Sequence, residues 1–538
     1  MRTLFIILTL ILGALPVFAQ KAEQTAEQKP AETVARKPAQ TPAQKPAQTA
    51  AKKTVQTDAE TGEELSALFL SSPYLKDAQY SVYAKYIGGD EIISINPTYR
   101  LAPASVLKLY TTAAALDMLG PDFTFETQIY YSGEIKGKKL NGDIYIKGAG
   151  DPTLGSARFS LTPALPDLVA GWVEKIKDAG ITKITGNIYA DNSLFSGVML
   201  PWRTSYQNIG NYYAAPSDAL SVRDNSYEIY FTPAEQSGIA SEVLKTEPEM
   251  NNLVFSSYVK TDSSLRSEST YVNFVPGSPE VEIYGRIPAG KETVKVSAAM
   301  PFPAAFMADY FKNALEKNGV QVKGEALLIA PDTYEDKTLF FSHFSPPLQD
   351  IISYTNKRSF NLYADTLLRV LSAYSGGSGS SGEGIKKIKE FLKGMEIDTS
   401  NFDVFDGSGI TRDNIIDCKM TVEMLEKVLD KPYGEIFIHT LPVAGDPEDG
   451  STMARRLRRT TAAYETYVKT GSLDRARSLA GYAKTHDGKK VVFCSIVNNY
   501  SGRMKNIDEV HDSFVVGLSS IGMKKKPSAR TAVSKKKK

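Results

Sequence analysis

Apolar and polar residues alternate through the middle of this chain, and apolar positions recur every three to four residues before and after it. The alternation is typical of strands and covers KLNGDIYIKG, ITGNIYADN and EVEIYGRIP. Helical spacing predicts a helix from Ser105 to Leu119, which Gly120 and Pro121 would end. The same spacing returns in AAFMADYFKNALEKNG, which Gly319 would end, and in SFNLYADTLLRVLSAYSG.

The final third of the chain predicts helices that alternate with three strands, AAYETYVKTG, SLAGYAKT and KKVVFCSIVNN. The last two strands are joined by HDGK, whose Asp-Gly pair favours a hairpin turn. A closing helix is predicted over about 507–521. A chain of 538 residues suggests more than one domain. We expect one α/β domain built from residues 61–125 and 331–523, with a β-rich insertion over 126–330.

The first residues, MRTLFIILTLILGALPVFAQ, have the pattern of a secretory signal peptide over 1–19. Arg2 precedes an apolar run that is too short to span a bilayer. The sequence Val-Phe-Ala at the end of this run predicts cleavage after Ala19. No later segment is apolar for long enough to cross a membrane. The expected location is the periplasm, with no transmembrane segment.

Two segments at the ends of the mature chain are predicted to be disordered. Residues 20–60 contain Ala, Gln, Lys, Pro and Thr with few large apolar side chains, which is typical of a flexible linker. The tail over 524–538, KKKPSARTAVSKKKK, is strongly basic. Such a run is usually only solvated, and weak contact with an anionic surface is the alternative.

Composition narrows the possible partners and chemistry. A formal net charge of +2 gives no reason to expect nucleic acid as a partner. Cys494 lies in a predicted core strand, so we expect free buried thiols, with a disulfide to Cys418 as the alternative. The four histidines form no His-Glu-x-x-His or other short ligand spacing, so no metal site is expected. A histidine-assisted serine triad remains open, because its members need not be neighbours in sequence.

Ser105 and Lys108 are the first candidates for catalysis. Residues three apart on a helix share a face, so the Lys108 amine could serve as the base that a serine nucleophile requires. Free backbone N–H groups in the first helical turn would also favour a developing oxyanion. Ser257 and Lys260 have the same spacing in NLVFSSYVKTD, but on a strand they would point to opposite faces.

Two further motifs strengthen the prediction that the Ser-x-x-Lys pair at Ser105 and Lys108 is catalytic. Ser359-Phe360-Asn361 opens a predicted helix, and Lys469-Thr470-Gly471-Ser472 closes a predicted strand. Another Ser-x-Asn match, at 94–96, precedes the candidate nucleophile and lies at a predicted strand end. In chain order, the three motifs resemble those of penicillin-recognising serine enzymes.

The chain resembles the low-molecular-mass class C penicillin-binding proteins, the type-4 D-alanyl-D-alanine carboxypeptidases/endopeptidases, over residues 62–520. GDIYIKGAGDPTL, NYYAAPSDALSVRDN, FDGSGITRDN and KTGSLDRARSLAGY look like further landmarks of that family. About 250 residues separate Lys108 from Ser359, which matches the family's large insertion. The resemblance implies an α/β transpeptidase-type domain, with an antiparallel sheet flanked by helices and a mainly-β inserted region.

The resemblance also implies roles for matching residues. Ser105 would be the acylated nucleophile, Lys108 its proton acceptor, and Lys469 a cation that keeps Lys108 neutral and attracts the substrate carboxylate. Backbone N–H groups of Ser105 and Ser472 would form the oxyanion hole. The remaining residues would relay protons or bind substrate: Ser359 and Asn361 of the second motif, Thr470 and Gly471 of the third, and Arg412 near the pocket for a diamino acid.

Two departures from the family pattern bear on specificity. Phe360 stands where relatives often have a polar residue, and altered packing is expected rather than lost chemistry. LPVAGDPEDGSTMARRL carries a short insertion around 446–449, on the active-site side, which puts substrate preference in question.

The predicted function is that of an exported serine DD-peptidase that needs no cofactor and acts on peptidoglycan muropeptides. It would remove terminal D-Ala, cleave D-Ala–diamino acid cross-links, or do both, and β-lactams would acylate it. The alternatives are a β-lactamase, for which the sequence offers no clear deacylating carboxylate, and a non-catalytic wall-binding or sensor protein on this fold.

Overall fold

The computed structural model of the chain describes residues 58–201, 203–328 and 333–523. The predicted signal peptide (1–19) and basic tail (524–538) lie outside these ranges, as does the predicted linker up to residue 57. The linker's last three residues instead begin the first helix, which runs over Asp58–Leu70. In the described ranges, no helix has the length and apolar character needed to cross a membrane.

Helices and strands alternate along the described chain in the order that the sequence pattern suggests. The helices are α1 (Asp58–Leu70), α2 (Lys108–Leu119), α3 (Leu165–Asp178), α4 (Pro303–Lys317), α5 (Leu348–Arg358), α6 (Asn361–Ala373), α7 (Ser381–Gly394), α8 (Cys418–Val428), α9 (Gly434–His439) and α10 (Met504–Ser519). The strands are β1 (Gln79–Tyr86), β2 (Glu91–Ile95), β3 (Glu126–Tyr131), β4 (Glu134–Lys136), β5 (Lys139–Asn141), β6 (Ile144–Lys147), β7 (Lys183–Ile184), β8 (Ile188–Asp191), β9 (Ser226–Thr232), β10 (Glu242–Glu247), β11 (Val254–Asp262), β12 (Ser269–Phe274), β13 (Glu280–Pro288), β14 (Val294–Ala299), β15 (Gln321–Val322), β16 (Ala326–Leu328), β17 (Thr338–Phe344), β18 (Thr466–Leu473), β19 (Ala476–Lys484) and β20 (Lys490–Asn498).

A five-stranded antiparallel sheet joins the two ends of the described chain, in the order β18-β19-β20-β1-β2. β1 pairs with β20 along its whole length, from Gln79 opposite Asn498 to Tyr86 opposite Val491. The hairpin predicted from HDGK is confirmed, since Gly488 turns the chain between β19 and β20 with a φ of +90°. Glycine adopts that left-handed conformation without the penalty that a Cβ would add. Strands from both ends of the described chain therefore meet in one sheet.

Helices cover both faces of this sheet. On one face α1 and α10 enclose a core in which the Phe514 ring meets Phe69 and Phe493 edge-on, at centroid distances of 5.4 and 5.8 Å. On the other face lie α2 and α8, with α5, α6 and α7 packed around α2. Every residue of α2 from Lys108 to Leu116 is buried, which is the pattern of a helix enclosed on all sides.

The β-rich region between α2 and α5 forms four further sheets. Their strand orders are β16-β8-β6-β3-β17, β15-β7-β5-β4, β10-β9-β14 and β11-β13-β12. α3, α4 and these strands share one apolar core that contains Trp172, Phe311 and Ile283. β17 pairs antiparallel with β3, so the β-rich region extends to Phe344, beyond the predicted boundary at 330.

Removing the Phe514 ring should destabilise the five-stranded sheet, because the ring joins α1, α10 and β20. Phe514→Ala is expected to lower the free energy of unfolding by about 3–5 kcal/mol, through lost burial and the cavity left behind. Phe344→Ala is the matched control, because that ring is 55% exposed, and it should change stability by no more than about 0.5 kcal/mol. Urea denaturation compares the two variants, and equal losses would contradict the packing argument.

Candidate active site

Ser105 lies in a short 3-10 turn, Ala104–Leu107, which leads directly into α2 at Lys108. The sequence pattern predicts one continuous helix here, and the tighter first turn is the difference. Side chains three residues apart eclipse one another in a 3-10 turn, which brings this pair together. The Lys108 Nζ donates a hydrogen bond of 3.0 Å to the Ser105 Oγ.

The turn that carries Ser105 is held by distant residues. The Asn498 side chain, at the end of β20, accepts from the Ala102 N–H at 2.9 Å and donates to the Ala102 carbonyl at 3.1 Å. Ala104 has a φ of +47°, which is uncommon for a residue with a Cβ. Gly409 packs directly on this residue, since a Cβ on Gly409 would lie 1.9 Å from the Ala104 carbonyl oxygen. The Ala104–Leu107 turn is therefore strained and braced by tertiary contacts.

Lys108 is fully buried at the centre of the site. Besides Ser105, its Nζ donates to the Asn361 Oδ1 and to the Ser408 carbonyl, both at 2.6 Å. Burial lowers the pKa of Lys108 to about 8, against the opposing effect of the Asp365 and Asp406 carboxylates. About a tenth of the amine is therefore a free base at pH 7, far more than for an ordinary lysine.

Ser359 and Asn361 lie at the junction of two helices. Ser359 follows the end of α5 in a left-handed conformation, with a φ of +57°, and Asn361 begins α6. The predicted helix start is thus confirmed for Asn361, whereas Ser359 belongs to the preceding turn. The Asn361 Nδ2 donates to the Tyr213 carbonyl at 2.7 Å, which ties this motif to the β-rich region.

Lys469 brings the third motif to the same point. Its buried Nζ donates to the Ser359 Oγ at 2.9 Å and to the Thr470 carbonyl at 2.7 Å. Burial first, and then the charge of Lys108, lowers the pKa of Lys469 well below its usual value. Because two buried ammonium groups repel each other, their titrations are linked.

Gly471 sets how closely β18 approaches the turn that carries Ser105. A Cβ at this position would lie 2.6 Å from the Pro103 carbonyl oxygen and 3.0 Å from the Ala104 Cβ. Only glycine leaves room for that contact. Next to it, the Thr470 Oγ1 lies 3.2 Å from the Thr452 Oγ1, and the Ser472 Oγ lies 3.6 Å from the Met504 Sδ.

Arg412 stands apart from this cluster. In the described structure its guanidinium donates to the Asp474 carbonyl at 2.5 Å and to the Asn499 Oδ1 at 2.8 Å. These contacts hold Arg412 beside the turn that follows β18, rather than against the lysine–serine pairs.

The sequence motifs do not predict two buried carboxylates near Lys108, those of Asp365 and Asp406. Burial, followed by the charge of Asp406, raises the pKa of Asp365 to about 7. Asp406 accepts hydrogen bonds from the backbone N–H groups of Gly409 at 2.6 Å and Thr411 at 2.7 Å. A signal for Asp365 exists in the sequence, because it lies four residues after Asn361 and so on the same helix face.

Comparison with known proteins identifies the architecture that carries this cluster. The profile of the D-Ala-D-Ala carboxypeptidase 3 (S13) family matches residues 62–516. The chain belongs to this family. The resemblance to class C penicillin-binding proteins and the expected serine carboxypeptidase class are both confirmed.

Similar members of the family span most of the chain. A D-alanyl-D-alanine carboxypeptidase of Actinomadura sp. strain R39 is 28% identical over 456 residues, which cover 82% of each chain. A crystal structure of penicillin binding protein 4 from Haemophilus influenzae has a TM-score of 0.73 and 24% identity, covering 85% of this chain and 99% of that one. A structure of the same protein with a β-lactam has a TM-score of 0.68 and 24% identity, covering 84% and 98%. These likenesses confirm the predicted mixed α/β fold.

In this S13 chain, the β-rich region contacts the second motif through Phe360. The Phe360 ring packs 4.6 Å from the Tyr363 ring, and the Arg158 guanidinium lies 4.6 Å from the Phe360 ring centre. Arg158 donates to an Asp224 carboxylate oxygen at 2.7 Å, and the Tyr363 hydroxyl donates to the other at 2.6 Å. Phe360 is therefore part of an aromatic contact between the two regions.

The segment around 446–449 is docked beside the same motif. Asp449 accepts from the Lys357 Nζ at 2.6 Å and from the Val443 N–H at 3.0 Å. The Thr452 N–H donates to the Lys357 carbonyl at 3.1 Å. The segment is thus fixed to the end of α5, two residues before Ser359.

The remaining sequence candidates lie elsewhere. Ser257 and Lys260 are on β11, where the Ser257 hydroxyl donates to the Ser241 carbonyl and Lys260 is exposed. Cys418 and Cys494 are free and buried, as expected. Among the described residues, no group of three or more His, Cys, Asp or Glu side chains could hold a metal ion.

Replacing Gly471 should disturb the active site, because a Cβ there forces β18 away from the turn that carries Ser105. Gly471→Ala is expected to reduce carboxypeptidase activity by at least about tenfold, as small displacements of reacting groups do. Gly382→Ala is the matched control, since no atom lies within 4 Å of a Cβ on that helical glycine. Hydrolysis of a soluble D-Ala-D-Ala peptide is measured, and full activity of Gly471→Ala would contradict the contact.

Proposed function

We propose that this chain is an exported serine DD-peptidase that cleaves D-alanyl bonds in peptidoglycan stem peptides through an acyl-enzyme on Ser105. The observation that carries the proposal is the 3.0 Å contact from the buried Lys108 amine to the Ser105 hydroxyl. A lysine whose pKa is lowered to about 8 by burial is a base of suitable strength at neutral pH. Family membership supports the substrate class.

The acylation step follows from the hydrogen bonds of the site. Lys108 as free base takes the Ser105 proton while the Oγ attacks the D-alanyl carbonyl carbon. The C–N bond then breaks, and the leaving amine receives a proton from the Ser359 hydroxyl, which Lys469 contacts at 2.9 Å. The proton that Lys108 took from Ser105 is passed on to the Ser359 oxygen, so that both groups return to their starting state. A water then attacks the ester carbonyl carbon and gives a proton to the Lys108 amine. The ester C–O bond breaks, the Ser105 Oγ takes that proton back from Lys108, and the acid product leaves.

The remaining motif residues bind and orient substrate in this proposal. Backbone N–H groups of Ser105 and Ser472 stabilise the oxyanion, an interaction of a kind that is worth about 10²–10³ in rate. Asn361 orients Lys108 and the substrate amide. Thr470 and Lys469 attract the substrate carboxylate, and Arg412 contacts the side that carries a diamino acid.

Export, the periplasmic location and β-lactam binding extend the proposal. The Haemophilus influenzae penicillin binding protein 4 has been crystallised with a β-lactam, and the same serine–lysine chemistry in this chain would open the lactam ring onto Ser105. Removal of a terminal D-Ala and cleavage of a cross-link would both proceed through acylation of Ser105. The docked segment around 446–449 is proposed to influence the choice between them.

The acylated residue can be identified with labelled penicillin and peptide mapping by mass spectrometry. The adduct should form on Ser105 and vanish in Ser105→Ala, because Ser105 is the serine whose hydroxyl the Lys108 amine contacts, at 3.0 Å. Ser257→Ala is the matched control, since it has the same Ser-x-x-Lys spacing, and its labelling should equal that of the wild type. An unlabelled wild type, or label on another serine, would overturn the mechanism.

Release of D-Ala from cross-linked and uncross-linked muropeptides tests the activity itself. Cleavage that is lost in Ser105→Ala supports a DD-peptidase. A stable adduct without peptide cleavage would instead indicate a sensor protein. Rapid release of hydrolysed drug without peptide cleavage would indicate a β-lactamase.

The pH dependence of acylation reports the state of Lys108. Acylation should rise with pH, with an apparent pKa near 8, because only the neutral amine accepts a proton. Asp365→Asn removes a negative charge that stabilises the ammonium form, so the rise should move to lower pH by about one unit. Asp336→Asn, whose side chain is exposed, should leave the profile unchanged. A shift to higher pH in Asp365→Asn would contradict this electrostatic account.

A further inference from the structure

The β11-β13-β12 sheet of the β-rich region has one buried face and one exposed face. Val259, Val272 and Ile283, one from each strand, lie on the buried face in the apolar core. Successive residues of a strand point to opposite faces, so their neighbours Tyr258, Tyr271 and Tyr284 point outward. Ser257 and Lys260, the second Ser-x-x-Lys match, lie on β11, an edge strand of this sheet.

The outward tyrosines form a row across the three strands. Tyr258 pairs with Tyr284 in the β11–β13 register, and Tyr284 pairs with Tyr271 in the β13–β12 register. The Tyr258 and Tyr284 rings are 4.9 Å apart and within 11° of parallel. They remain 55% and 38% exposed, so both rings are accessible to a ligand.

The surroundings of the tyrosine row are polar rather than aliphatic. The Tyr284 hydroxyl donates to a Glu282 carboxylate oxygen at 2.9 Å. Lys260 and Arg286 are exposed on the same face. Rigid tyrosines supply apolar ring faces and hydrogen-bonding hydroxyls at low entropic cost. Such a surface suits a ligand that has C–H faces and hydroxyl groups together, which describes a pyranose sugar.

The row leads toward the active site. Next to Tyr271 in β12, the Val272 N–H donates to the Asn211 Oδ1 at 3.3 Å, and Asn211 lies two residues before Tyr213. The Tyr213 carbonyl accepts from the Asn361 Nδ2 at 2.7 Å, and the Asn361 Oδ1 accepts from Lys108. A polymer that lies on the tyrosine row would therefore approach the serine–lysine cluster.

We infer that the tyrosine row, Tyr258, Tyr284 and Tyr271, binds the glycan strand of peptidoglycan and presents its attached stem peptides to Ser105. The choice of a glycan rests on the proposed DD-peptidase function. The site itself rests on the exposed ring pair and on its continuity with Asn361.

Binding is measured by co-sedimentation with insoluble peptidoglycan and by calorimetry with glycan strands freed of their peptides. The wild type should bind both, and Tyr258→Ala/Tyr284→Ala should bind at least tenfold more weakly. Tyr99→Ala is the control, because Tyr99 is also an exposed tyrosine, at 54%. Tyr258→Phe keeps the ring and should retain most of the affinity. All variants should hydrolyse a small soluble D-Ala-D-Ala peptide within twofold of the wild-type rate.

Failure of the glycan inference is distinguishable from failure of the proposed function. A wild type that cleaves the soluble peptide but does not bind peptide-free strands would overturn the glycan site alone. Equal binding by the double alanine variant would do the same, as would a tyrosine row that mediates self-association instead. Glycan binding that depends on the tyrosines would support the site even if the soluble peptide were not cleaved.

Discussion

The site depends on one buried amine. The Lys108 Nζ contacts Ser105 in its own turn, Asn361 at the start of α6 and the Ser408 carbonyl in a later loop. Three separate segments must therefore converge before this group is satisfied. Taking a lysine out of water is costly, and the cost is offset only when such partners are fixed in advance. The surrounding helices, the strained nucleophile turn and the five-stranded sheet together provide that fixed frame.

The same burial holds like and opposite charges close together in the interior of the site. Lys108 and Lys469 lie close together in the interior, and Asp365 and Asp406 lie behind them. Burial disfavours the charged forms of Lys108, Lys469 and Asp365, while the carboxylate charges partly offset this effect at Lys108. Active sites commonly hold such arrangements at the expense of stability, because the reaction needs groups that titrate near neutral pH.

Local patterns in the sequence predicted the parts of the site that depend on neighbours in the chain. Ser105 and Lys108 share a turn, so their spacing pointed to the pair, whereas Lys469 and Gly471 were assigned through the resemblance of their motif to a known family. The 3-10 turn, by contrast, depends on the close approach of Gly409 and on the clamp from Asn498. Those contacts come from residues hundreds of positions away, and no local pattern encodes them.

The hydrogen bonds between Asn498 and Ala102 also bear on the order in which parts of the chain fold. These two residues are 396 positions apart, and β1 pairs with the last strand of the sheet. Pairings of such long range form late and slowly, because the intervening chain must first be closed into a loop. When the ribosome has synthesised the turn that carries Ser105, it has not yet synthesised β20, whose Asn498 supports that turn. The turn that carries Ser105 therefore gains this support only after the C-terminal strands have been synthesised.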